Sequence, residues 1–130
     1  MDESFLTKLY LDHQECPTCP SPQKVEKFYV DLLGTLFPDI SKVGFSSRKD
    51  LSVYFDRLQV ELDKMIFQKP SKFGDENFNA AEEFFQKIPA IHKKIEADVT
   101  AMYKGDPAAK SRGEVIRTYP GFYAISAYRI

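Results

Sequence analysis

Asp106 is the residue best placed to do chemistry. It stands in Gly105-Asp106-Pro107, a tight corner between two helical patterns. Gly105 falls where a left-handed, helix-ending residue is wanted, and Pro107 suits the first position of a following helix. That spacing predicts Asp106 at a helix cap, its carboxylate accepting from free backbone N–H groups and its charge favoured by the helix dipole. An ionised acceptor on a rigid corner suits a small donor, an amino group or a hydroxyl. The same residues also describe a plain cap, satisfied internally.

Other reactive side chains offer less. Cys16 and Cys19 form one CxxC in HQECPTCPSP, with His13 nearby. A zinc site needs four ligands, and these supply three. A redox CxxC belongs at a strand-to-helix junction, and no strand pattern precedes this one. The expectation is reduced thiols in a proline-stiffened loop, with no metal. His92 flanks an Ile88/Ile91/Ile95 stripe beside Lys93 and Lys94, with no nucleophile or acid placed to make it a base. No GxSxG, Walker or dinucleotide-type glycine motif occurs. Glu82, Glu83, Glu96 and Asp98 alternate with Lys87, Lys93 and Lys94 and read as a paired, solvated surface.

The elements that must position Asp106 are helical. Ser4 to Leu11 carries Phe5, Leu6, Leu9 and Tyr10 on one side. Ser21-Pro22 is a cap followed by a first-turn proline, and Val25, Phe28, Tyr29, Leu32, Leu33 and Leu36 then recur at helical spacing until Pro38. Ser47 and Asp50 resemble a capping box ahead of Leu51, Tyr54, Phe55, Leu58, Leu62, Met65 and Ile66. After a Pro70/Ser71/Gly74 loop, Asp75 to Asn77 start a helix with Phe78, Ala81, Phe84, Phe85 and Ile88 inward. Pro89 predicts a kink or restart before Ile91, Ile95, Val99 and Met102. Ser111 and Glu114 form a second capping box before Val115-Ile116. Pro120-Gly121 breaks the pattern, and Phe122 to Ile130 resume it. No alternating strand and no internal repeat occurs. The fold class is therefore all-α, a bundle of five to seven helices with short connections, in one domain spanning 1–130.

Composition agrees. Hydrophobic residues make up 43% of the 130, against 18 basic and 19 acidic side chains. That balance supplies a core but no basic field of the kind nucleic-acid binders use. No apolar stretch approaches the roughly 20 residues of a membrane span, and MDESFLTKLYLDHQ is not a secretory signal. A cytoplasmic protein, touching neither nucleic acid nor membrane, is the expectation. The apolar run that reaches Arg129 and Ile130 without a C-cap predicts either further chain or an oligomer contact.

The blocks from Asp98 onward are similar to bacterial serine O-acetyltransferases. They are Asp106-Pro107-Ala108-Ala109-Lys110-Ser111, Glu114-Val115-Ile116, Tyr119-Pro120-Gly121-Phe122-Tyr123-Ala124-Ile125 and Tyr128-Arg129-Ile130. The resemblance covers 98–130; residues 1–97 match in being helical. It implies the helical N-terminal domain of an enzyme that moves an acetyl group from acetyl-CoA to L-serine, in cysteine biosynthesis. The family's acetyl-CoA site and its catalytic histidine and aspartate belong to a β-helix of hexapeptide repeats, and nothing like those repeats occurs here. The resemblance therefore implies no catalytic residue and no cofactor in this chain, and maps one substrate-binding residue, Asp106, toward serine or inhibitory cysteine. The family commonly carries a histidine where this chain has Tyr123. It also implies homo-oligomerisation through the helical domain, for which faces near Phe28, Phe55 or Phe84 are available. The isolated chain is expected to be inactive. The rival expectation is a self-contained helical protein-interaction module with no catalytic role; a third is a small metal-binding protein built on the CxxC.

Overall fold

A computed structural model describes residues 1–15, 20–67 and 79–130. Cys16, Cys19 and the expected helix start at 75–77 lie outside the described residues. Six α-helices and one 3-10 turn occur among those described: α1 (Glu3–Glu15), α2 (Pro22–Leu36), the turn Pro38–Ile40, α3 (Arg48–Phe67), α4 (Ala80–Gly105), α5 (Arg112–Thr118) and α6 (Pro120–Arg129). No strand is present among the described residues. The bundle is all-α, as the periodicity predicts.

Local signals set most of the boundaries. The Ser21 hydroxyl accepts from Lys24 N–H at 3.3 Å, and Pro22 occupies the first turn of α2, where a missing N–H costs nothing. Ser47 accepts from Asp50 N–H at 3.1 Å at the start of α3. The Asp50 carboxylate also accepts from Ser46 Oγ, at 2.5 Å. Ser111 accepts from Glu114 N–H at 3.1 Å, and the Glu114 carboxylate accepts from Lys110 N–H at 3.0 Å, one residue before the expected partner.

α4 runs unbroken through Pro89 for 26 residues. The restart allowed by the sequence does not occur: packing on both halves of the helix outweighs the one backbone hydrogen bond that proline removes. This long helix joins two apolar clusters. Its first half places Ile88 with Phe28 and Leu32 of α2 and Leu58 of α3. Phe84 and Phe85 edge this cluster, 5.4 Å apart, with Phe28 6.4 and 6.5 Å from them. Its second half places Ile95 and Val99 with Leu33, Phe37, Val115, Ile116 and Phe122. α2 spans both clusters, so α2 and α4 form the spine against which α5 and α6 dock.

The apolar face of the last helix finds its partner within the chain. Phe122 is fully buried, edge-on to Phe37 at 5.3 Å, and Ile130 packs against both clusters. Tyr123 and Tyr128 of the same helix stay 43% and 81% exposed. Val25 is a departure: it sits in the α2 stripe by spacing but is 48% exposed.

Candidate functional site

The corner after α4 is built differently from the expected cap. Gly105 closes α4 without left-handed backbone, and Asp106 follows in extended conformation with φ −116°. Pro107 opens a turn, not a helix; α5 starts only at Arg112 under its own Ser111 cap. Asp106 therefore does not sit at a helix N-terminus, and the dipole argument for its charge is withdrawn. The carboxylate is instead held from two sides. Ala108 N–H donates to its Oδ1 at 2.9 Å, closing an Asx turn, and the Tyr119 hydroxyl donates to its Oδ2 at 2.5 Å. The Ala109 N–H donates to the Asp106 carbonyl at 3.1 Å, which fixes the same turn through the backbone.

Electrostatics follow from those donors. The Tyr119 hydroxyl, and then the Ala108 N–H, hold the Asp106 carboxyl below the usual carboxylate range. In return the bond to Asp106 and partial burial push the Tyr119 phenol up to about 12. Near neutral pH the pair is one carboxylate and one neutral phenol. A carboxylate offers about four acceptor positions. Two are used here, and the side chain is only partly covered. The group therefore keeps capacity for a further donor.

Sequence reasoning did not connect Tyr119 with this site. The available signal is Tyr119-Pro120. A residue before proline is biased to extended backbone, and Tyr119 adopts φ −85°, ψ 118° between α5 and α6. What the spacing cannot tell is that the resulting junction faces back toward Asp106.

Two further ties brace α4 against the helices that follow. Arg129 donates to both carboxylate oxygens of Asp98, Nε to Oδ2 at 3.0 Å and Nη2 to Oδ1 at 3.2 Å. This two-pronged geometry fixes both position and orientation. Arg112 Nη2 donates to the Glu96 carboxylate, joining the first turn of α5 to α4. Asp98 and Glu96, expected as part of a solvated surface, are thus bridging residues. His92 lies 3.7 Å from Glu96 and stacks on Phe37 with ring centroids 5.0 Å apart, which confirms it as a boundary residue. His13 lies on the exposed α1. Among the described residues no group of three or more His, Cys, Asp or Glu side chains could hold a metal ion, and no helix is long and apolar enough to cross a membrane.

Comparison with known proteins finds a likeness that includes this corner. Residues 68–127 match the model described as "Serine acetyltransferase, N-terminal". The chain is 36% identical over 61 residues to the plasmid serine acetyltransferase of Synechococcus elongatus; the alignment spans 47% of this chain and 19% of that protein. No solved structure matches. Over residues 68–127 the chain is similar to the N-terminal region of serine acetyltransferases. The match reaches back to residue 68, well upstream of the Asp98 boundary expected from the quoted blocks, and so takes in α4 from its first residue.

Proposed function

We propose that this chain serves as the substrate-site and assembly domain of a serine O-acetyltransferase, with Asp106 accepting hydrogen bonds from the amino acid substrate. The observation that carries the proposal is an ionised, partly exposed carboxylate anchored by Tyr119 and Ala108 within the matched stretch. Its unused acceptor positions suit the ammonium group or hydroxyl of serine, and those of cysteine's ammonium when cysteine occupies the site as an inhibitor.

In the reaction so proposed, the serine hydroxyl oxygen attacks the acetyl-CoA thioester carbonyl. The hydroxyl proton passes to a base, the C–S bond breaks, and CoA leaves as the thiol. Asp106 moves no proton in this scheme: a carboxyl held below its ordinary range is a poor base near neutral pH. Its role is to hold the substrate. The proton acceptor and the acetyl-CoA site are assigned to a β-helix domain outside this sequence. His13 lies on α1, and His92 is engaged with Phe37 and Glu96. We assign self-association to the helical domain as well.

The test is steady-state kinetics of the intact acetyltransferase carrying Asp106→Asn. The KM for serine is expected to rise at least tenfold, with the KM for acetyl-CoA little changed. An unchanged serine KM refutes the assignment. The chain of residues 1–130 by itself is expected to give no turnover and no calorimetric heat with serine, because one carboxylate does not offset the lost freedom of a bound ligand.

A further inference from the structure

Tyr119 stands where α5 ends and α6 begins. Its backbone N–H donates to the Val115 carbonyl at 3.2 Å, closing α5, and its carbonyl accepts from Phe122 N–H at 3.1 Å, opening α6. Both of its backbone polar groups are thereby used. Its ring packs against the cluster that contains Val115 and Phe122. The phenol therefore reaches Asp106 from a place fixed by two helices and the core, thirteen residues away in sequence. The other donor, Ala108 N–H, is two residues away and belongs to the same turn as the carboxylate it holds. Of the two, only Tyr119 ties Asp106 to the bundle.

The two bonds act together. A carboxylate held by one oxygen can still turn about its Cβ–Cγ bond, where the torsional wells are broad. Here Ala108 holds Oδ1 and Tyr119 holds Oδ2, so neither oxygen can swing away without breaking a bond. The acceptor positions left on the two oxygens keep fixed directions. A donor group of a ligand then meets an acceptor that is already oriented, and less freedom is lost on binding. The hydroxyl has one proton, and it is given to Asp106. Glu114 of α5, whose carboxylate accepts from Lys110 N–H at 3.0 Å, adds a negative charge that opposes ionisation of the phenol and keeps it a donor.

We propose that Tyr119 is a positioning residue of the substrate site: its hydroxyl fixes the Asp106 carboxylate for the incoming amino acid and takes no part in the chemical step. The inference rests on the role proposed for Asp106 above and names the residue through which the bundle controls it.

The test is steady-state kinetics of the intact acetyltransferase carrying Tyr119→Phe, Asp106→Asn, or both. Tyr119→Phe keeps the ring that packs on the core and removes the hydroxyl alone, so the bundle is retained, as circular dichroism checks. The KM for serine is expected to rise about fivefold, with kcat and the KM for acetyl-CoA changed by less than about twofold. In the Asp106→Asn background the same substitution is expected to add less than about twofold, because Tyr119 acts through the carboxylate. A raised serine KM in Asp106→Asn beside an unchanged one in Tyr119→Phe overturns the positioning role and leaves the assignment of Asp106 standing. An unchanged serine KM in both variants overturns both. A fall in kcat at constant KM places Tyr119 in the chemical step and overturns the inference. Full additivity in the double variant also overturns it, since Tyr119 then acts by a route that does not pass through Asp106.

Discussion

Replacing Phe122 by alanine is the most direct test of how the corner is positioned. Phe122 is fully buried among Leu33, Phe37, Ile95, Val99, Val115 and Ile116. It holds the first turn of α6 to the spine, so Tyr119 before that helix and Arg129 at its end both depend on it. Truncating a buried Phe costs about 3–5 kcal/mol through lost transfer and the cavity left behind. The edge-on contact with Phe37 at 5.3 Å places this site toward the upper end. Against a domain stability on the order of 5–15 kcal/mol the loss is a large fraction. For a chain of this size it corresponds to a fall in Tm of roughly 10–20 °C. Urea unfolding followed by far-ultraviolet circular dichroism measures it as a shift in midpoint at constant slope. Val53→Ala, at a 58% exposed position of α3, is the control, expected within about 0.5 kcal/mol of the parent. A loss below about 1 kcal/mol for Phe122→Ala would refute the docking of α6 and, with it, the geometry assigned to Tyr119 and Arg129.

Tyr119→Phe removes the main donor to Asp106, so the Asp106 carboxyl is expected to titrate nearer its ordinary value, as followed by carboxyl-carbon nuclear magnetic resonance. The sign of the pH dependence is fixed by the two shifts. The depressed Asp106 contributes stability present above its unfolded value of 3.8 and lost as pH falls through its folded value; the raised Tyr119 contributes stability present below 10 and lost between 10 and about 12. Both dependences are expected to shrink in the variant, and an unchanged acid and alkaline profile contradicts the bond. Ser111→Ala removes the α5 cap and is expected to cost about 1 kcal/mol in chemical denaturation; no measurable loss contradicts the cap. Gly34→Val is expected to destabilise by about 1–3 kcal/mol in the same assay, because even a Cβ there meets the Ser41 Cα at 3.3 Å. A stabilised variant shows that the 3-10 turn does not pack against α2 as described.

The sequence by itself determined the helices and most of their inward faces. Leu32, Leu33, Leu58, Ile95 and Val99 repeat at a period that only a helix places on one side, and the Ser21 and Ser111 caps act within a few residues of chain. It also carried enough ordered blocks around Asp106 to indicate a family. Tertiary structure alone decided the rest. Pro89 has the same local cost wherever it stands, and only packing on both sides of it decided that α4 continues. The partner of Asp106 is thirteen residues away across a turn and a short helix, and the partner of Arg129 thirty-one away across two. Such pairs depend on how α5 and α6 are oriented against α4. That orientation comes from Phe122, Val115 and Ile116 entering a core shared with α2, which no local pattern of residues records.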